Sequence, residues 1–269
     1  MIDTHAHLTG RFCDLSAGGQ AREKVVEEAK KAGLWGIVLA ASNVEESNEN
    51  IELAKRWKRF LFPAVGIHPQ QTDAKNNDSI DRQIDQLDEL IGKNRERIVA
   101  VGECGLDYST PPPEEKERSR EEQEKLFRGQ ICLSMKYELP LIIHARKAVD
   151  EVIEILGEYK NLKGVFHCYA GGKKRIKKVL GLGKNWYFGI DGNLTYDDGL
   201  VGIVREIPKD RLILETDSPF LTPEPFRGEK NKPAYVKYVY KKLCKIWEIR
   251  SKKCEKIIDK NARRLFGLS

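Results

Sequence analysis

Two histidines stand two residues apart in the opening stretch MIDTHAHL. Side chains in a strand alternate between faces, so His5 and His7 point the same way. Two imidazoles on one face can grip one cation, although an HxH pair alone is weak support for a metal. The rest of the chain strengthens it. All five histidines lie at or just past the ends of short apolar runs: His5 and His7 in the first, His68 in GIHPQ, His144 in LIIHAR and His167 in FHCYAG. Glu103 in VGECGLD and Asp217 in LETDSP hold equivalent places. Histidine, aspartate and glutamate are the ligand types of Zn²⁺, Mn²⁺ and Mg²⁺. Singly, each histidine reads as a hydrogen-bonded core or surface residue; as a set they point to a metal centre.

The expected division is His5, His7 and Asp217 on one ion, His144 and His167 on a second, and Glu103 bridging both. Two divalent ions (Zn²⁺, Mg²⁺ or Mn²⁺) held ~3.5–4 Å apart share a water and lower its pKa. Asp217 and Glu103 are then the catalytic carboxylates, with Asp217 taking the proton of the attacking water and passing it to the leaving oxygen. His68 is left without an ion and can donate a hydrogen bond to a phosphate oxygen. Arg146, two beyond His144, can reach the same phosphate with its planar fork. Arg227, in RGEKNKP, stands on the loop after the last apolar run. The most basic stretch is GGKKRIKK, with Lys173, Lys174, Arg175, Lys177 and Lys178. It reads equally as a polyanion contact or as a solvated helix face. Tyr108, Tyr169 and Tyr196 stand at positions from which they could stack bases or pack. Cys104 and Cys168 adjoin proposed ligands. Strand alternation turns both outward, against helices, as small buried hydrophobes.

These residues need a frame that brings strand ends together. The strand candidates are MIDTHAHL, WGIVLAAS, FLFPAVGI, RIVAVGECGL, LPLIIHA, GVFHCYA, WYFGIDG and RLILETDS. Charged segments of helical period lie between them, over 20–32, 45–57, 78–93, 113–138, 148–159, 172–182, 198–206, 233–249 and 251–266. Alternating strand and helix imply a parallel sheet with right-handed crossovers, and eight such units imply closure into a barrel. An open doubly wound sheet would carry a glycine-rich phosphate loop after the first strand, and none is there. The expected fold is a single-domain α/β (β/α)₈ TIM barrel over residues 1–269, with the chemistry at the C-terminal ends of its strands.

Composition agrees. The chain has 269 residues, 40% hydrophobic and 33% charged, with a formal net charge of +6. That excess permits a polyanionic substrate without requiring one. No apolar run approaches a membrane span. The sequence enters MIDTHAHL without a basic-then-apolar leader, which predicts a cytoplasmic protein. The six cysteines form no CxxC pair and are expected as reduced thiols. Nothing marks an obligate protein partner.

DTHAHL, GIHP, VGECGLDY, PLIIHAR, FHCYAGG, LILETDSPFLTP, RGEKNKP and NARRLFGL together resemble the TatD-type metal-dependent DNases, within the amidohydrolase-like barrels. The likeness runs the length of the chain in motif order. It implies a TIM-type barrel, two divalent metals and hydrolysis of DNA phosphodiesters, with family ligands falling on His5, His7, Glu103, His144, His167 and Asp217. There are departures. Gln70 stands where the family usually has a second histidine after HP, Ala170 replaces a serine, and Cys104 turns GEIGLD into GECGLD. The expected activity is a deoxyribonuclease using a metal-activated water, with DNA or RNA as substrate. Carbonyl attack needs the same water, so an ester hydrolase, for example of aminoacyl-tRNA, is the enzyme alternative. A non-catalytic nucleic-acid-binding protein with a structural metal fits poorly, because structural zinc sites are closed, four-coordinate and often rich in cysteine.

Overall fold

The apolar runs are short and rich in Val, Ile and Leu, the pattern of strands covered on both faces. In the computed structural model, which describes residues 1–9, 20–71, 79–110 and 118–268, all eight become strands of one parallel sheet in sequential order. They are β1 (Ile2–Ala6), β2 (Gly36–Leu39), β3 (Leu61–Val65), β4 (Ala100–Asp107), β5 (Leu141–Arg146), β6 (Gly164–Phe166), β7 (Trp186–Ile190) and β8 (Leu212–Leu214). A parallel bridge between Ala6 and Ser218 brings the last edge back to the first. Asp217 N donates to His5 O at 2.9 Å and His7 N to Ser218 O at 2.8 Å across that seam.

The helices are α1 (Gln20–Lys31), α2 (Val44–Arg56), α3 (Ile80–Asn94), α4 (Arg120–Tyr137), α5 (Val149–Gly157), α6 (Lys173–Gly181), α7 (Asp198–Val204), α8 (Val236–Trp247) and α9 (Ser251–Phe266). Each answers one charged segment. The fourth starts later than its periodicity predicts, because Ser119 and Glu122 form a reciprocal capping box that fixes the first turn; residues 113–117 of that candidate lie outside the described residues, as does Cys13. Among the described residues, no helix is long and apolar enough to cross a membrane.

The inside of the barrel is filled by one side chain from each strand: Ile2, Val38, Ala64, Ala100, Ile142, Val165, Tyr187 and Ile213. Ala262, Leu265 and Phe266 of α9 pack onto this layer and close the end opposite the histidines. Residues of opposite parity, such as Leu39, Val101, Ile143 and Phe188, join the larger core between sheet and helices.

Parity decides which polar residues reach the interior. His144 is two from Ile142 and His167 two from Val165, so alternation carries them inward; Asp217 lies past the end of β8 with a left-handed backbone, φ 54°, and is placed by its seam bond to His5 O instead. His5 and Glu103 are odd steps from Ile2 and Ala100 and would face the helices. Two irregularities correct this. The β1–β2 register shifts between Asp3 and Ala6, and the β4–β5 register between Val101 and Cys104. Each shift acts as a bulge, re-aiming the residues beyond it. Glu103 therefore lies inside β4 rather than after it, as the sequence pattern suggests, and its backbone N–H donates to Ala41 O at 3.0 Å. Backbones crowd there: a Cβ on Gly66 would stand 2.5 Å from the Gly102 carbonyl carbon.

Candidate metal centre

Glu103 sits where the strand ends converge, buried at 4% exposure. Its two oxygens face different neighbours. Oε1 is 2.6 Å from His144 Nδ1, 2.8 Å from His167 Nε2 and 3.6 Å from His68 Nε2. Oε2 is 3.5 Å from His5 Nε2 and 3.6 Å from His7 Nε2. Asp217 Oδ1 is 3.5 Å from each of the same two nitrogens. His5 and His7 present those nitrogens to each other at 3.2 Å, so the two rings do share a face. His5 also stacks on His167, with ring centroids 4.3 Å apart. The structure thus brings together all six ligand candidates, with His68 at the edge.

The donor atoms form overlapping groups able to hold an ion, including His5–His7–Glu103, His5–His167–Asp217 and Glu103–His144–His167. Hard carboxylate oxygens mixed with imidazole suit a divalent cation. Two buried atoms fit this. His5 Nδ1 and His167 Nδ1 lack a hydrogen-bond partner. Both rings turn their other nitrogen, Nε2, to the centre beside Glu103, where it could ligate a cation.

The protonation pattern says what holds the centre together when only protons are available. Burial, followed by the neighbouring charge of His167, lowers the His5 pKa to about 4, so that ring is neutral. Burial pulls His167 the same way but is outweighed by the charge and hydrogen bond of Glu103, and its pKa rises to about 10. Burial would raise Glu103 and Asp217; the surrounding imidazoles overcome it and hold both below the ordinary carboxylate range. Ligand atoms must be deprotonated, so loading a metal here expels protons.

A ring of groups that the sequence reading missed orients these residues. His144 turns Nδ1 inward because its Nε2 bonds Asp107 Oδ2 at 3.0 Å. Asp107 is itself fixed by Ser109, whose N–H and hydroxyl donate to Oδ1 at 2.8 and 2.6 Å. Glu215 lies behind His167, with Oε1 3.8 Å from Nδ1 and accepting from Cys168 N at 2.5 Å. Burial lifts Glu215 to about 8. Gly189 leaves room for it: a Cβ there would stand 2.4 Å from the carboxylate. Asp3 accepts from Thr216 N at 2.9 Å and Thr216 Oγ1 at 2.6 Å, tying β1 to the segment that carries Asp217. The available signal was parity: Asp107 and Glu215 are each an even step from an inward ligand.

Cys104 lies as expected, buried against the Val101 and Ile142 carbonyls in the outer core, because the β4 register shift that turns Glu103 inward turns its neighbour outward. Cys168 does not. Its sulfur lies within 4.8 Å of ligand-type atoms of His167 and Glu215. The strand ends at Phe166 and Cys168 takes a left-handed backbone, φ 43°, so alternation no longer applies. Burial, then the charges of Asp217, Asp191 and Glu215, push its thiol pKa well up and keep it protonated.

The proposed substrate contacts surround the mouth. His68 Nδ1 accepts from Gln70 N at 3.2 Å, which leaves the Nε2 proton facing the centre. Arg146 ends β5 and is exposed; Arg227 is exposed with its guanidinium 4.2 Å from the centre of the Tyr196 ring. Tyr108 lies under Arg120 in the same way, at 4.1 Å, and Tyr169 is buried in the core. Gln70 fastens loops, donating to Asp107 O and Ser109 O. In the basic stretch, Arg175 and Lys178 are bound to Asp150, and Lys173 is 3.6 Å from Glu206.

A family model described as TatD related DNase matches residues 2–267. An uncharacterized metal-dependent hydrolase, YabD of Bacillus subtilis, is 34% identical over the whole of both chains. A protein of Pectobacterium parmentieri named 3'-5' ssDNA/RNA exonuclease TatD is 30% identical, again over both full lengths. Among solved structures, the TatD homologue YJJV from Escherichia coli superposes with a TM-score of 0.85 at 27% identity, covering 100% of this chain and 98% of that one.

Proposed function

Because the chain belongs to the TatD-related DNase family and is a metal-dependent hydrolase, we propose that it cleaves phosphodiester bonds of DNA, and of RNA, at a centre of two divalent ions. One observation carries this reading: the two oxygens of Glu103 face separate imidazole pairs, His144 and His167 on one side, His5 and His7 on the other. His5, His7 and Asp217 would hold one ion, His144 and His167 the other, and Glu103 both. Ions of Zn²⁺, Mg²⁺ or Mn²⁺ there supply a water of lowered pKa and neutralise charge on the phosphoryl oxygens.

The remaining work falls to the protein. Asp217 takes the proton of the attacking water and returns it to the leaving oxygen. Its N–H bond to His5 O keeps the carboxylate in register with the histidines while it does so. His68, whose Nε2 carries the proton, donates to a phosphate oxygen. Arg146 and Arg227 bind phosphates at the rim as planar donors. The substrate class is supported by the relative from Pectobacterium, named for single-stranded DNA and RNA.

The experiment is metal analysis of the purified protein, then product analysis on end-labelled single- and double-stranded DNA. Two ions per chain and nucleotide release that stops in chelator are expected. Full hydrolysis by metal-stripped protein ends the proposal. Asp217→Asn keeps a ligand oxygen but takes up no proton, and general-base assistance is worth ~10²–10⁴-fold. Turnover should drop by that factor with DNA affinity within a few-fold; full turnover with both metals bound would make Asp217 a ligand only.

A further inference from the structure

We propose that the ring of Phe220 is a stacking platform that seats an unpaired nucleobase beside the metal centre; this rests on the nuclease reading above and adds to it a residue that selects the substrate. Among the described residues, the large hydrophobic side chains left exposed are Met135, on α4, and Phe220, at 45%. Phe220 is three residues beyond Asp217, and its ring centroid is 6.3 Å from that of His7, inclined at 72°. An exposed aromatic ring is ordinary on a surface. One next to a phosphate-hydrolysing centre has a specific use, because every base offers a π-face.

The ring is also held in register with the chemistry. Phe220 N donates to Asp217 O at 2.8 Å. The buried Asn231 gives its amide to Phe220 O at 2.5 Å and to Thr216 O at 2.9 Å. His7 N donates to Ser218 O at 2.8 Å. One set of hydrogen bonds thus fixes Asp217, His7 and Phe220 together. A nucleotide carries its base one sugar away from its phosphate. A phosphate seated over Glu103 therefore places a neighbouring base within reach of this ring. A base inside a duplex is already stacked on both faces, so the platform favours single strands and unpaired ends.

The test compares metal-loaded parent protein, F220A and F220W on single-stranded DNA with intact bases and on a strand of equal length with abasic terminal nucleotides. Stacking on an aromatic ring is worth roughly 5- to 150-fold per base. The parent should prefer the base-bearing strand in kcat/KM by that factor. F220A should lose the preference and F220W should keep it; an equal preference in parent and F220A overturns the proposal. A second reading needs no turnover. The base-bearing strand should quench fluorescence in F220W beyond the quench seen in the parent, and the abasic strand should not. A protein that shows this quench but cuts no nucleic acid loses the nuclease reading and keeps the platform. One that degrades DNA with neither quench nor altered preference keeps the nuclease reading and loses the platform.

Discussion

At the scale of single residues, the centre is a problem of buried charge. Glu103, Asp217 and Asp107 bring three carboxylates, held ionised by neighbouring imidazoles, to one barrel mouth, and a buried charge persists only when paired. The imidazoles do the pairing, and outer carboxylates in turn aim the imidazoles. Asp107 is the clearest case, since it decides which nitrogen His144 offers. Asp107→Asn keeps the shape but can present its NH₂ to Nε2, which reverses the preferred tautomer. Loss of such an outer partner typically weakens metal binding ~10–100-fold. Calorimetric titration of metal into the stripped variant should show that loss; unchanged affinity would mean that His144 needs no orienting group. The ligand candidates were legible as a set because their histidines stand at the ends of apolar runs. Their orienting groups were not, since Asp107 and Glu215 look like ordinary strand-end acids until hydrogen bonds are seen. Phe220 was also hidden, because a phenylalanine in an apolar motif reads as core.

At the scale of elements, strands and helices could be read almost to their ends, whereas the two register shifts could not. Hydrophobic period marks the eight strands clearly. A bulge leaves that period unchanged on either side and shows only as a reversal of parity, seen here in His5 against Ile2 and Glu103 against Ala100. Just past the β4 shift, Gly105 has φ 140°, and a Cβ there would stand 2.0 Å from His144 O. Gly105→Ala should therefore push β5 and its ligand away, lowering stability by about 2 kcal/mol. A lower urea midpoint together with weaker metal binding is expected; a stable variant with full affinity would show that β4 and β5 can separate freely.

The clasp between α5 and α6 makes a pH prediction. Arg175, then Lys178, bind Asp150 and lower its pKa from 3.8 to about 2. A depressed carboxylate contributes stability above its unfolded pKa and loses it as pH falls through the folded value. The side chains are 37% exposed for Asp150, 40% for Arg175 and 59% for Lys178, so solvent screening keeps the contribution at ~0–1 kcal/mol. Asp150→Asn should melt slightly lower than the parent at pH 7. Thermal melts should show the gap closing between about pH 4 and about pH 2, and a gap constant across that window would refute the assignment.

At the scale of the whole molecule, the candidate metal centre would brace the barrel that positions it. Its ligand candidates come from β1, β4, β5 and the segments just beyond β1, β6 and β8, so an ion bound there would tie strands around the circumference. Ligand present at 100 times its Kd stabilises the folded state by about 2.7 kcal/mol. For a chain of this size that corresponds to roughly 5–10 °C in melting temperature. Chelator should lower the calorimetric Tm by this much and added metal restore it. An unchanged Tm would place the ions outside the frame that holds the barrel shut.

The seam between β1 and β8 has a consequence for synthesis. Asp3 and Thr216, 213 residues apart, are hydrogen-bonded there, and His5 and His7 meet Asp217 beside them. Chains are made from the N-terminus, and early segments fold before later ones emerge. The opening histidines must therefore wait, without their carboxylate, until residue 217 has left the ribosome. A product released before residue 217 lacks the group assigned to proton transfer, as well as the aromatic ring three residues beyond it. With Asp217 in the role proposed for it, hydrolytic competence arrives only after that residue has been made, and a chain ended before it would carry a half-built centre.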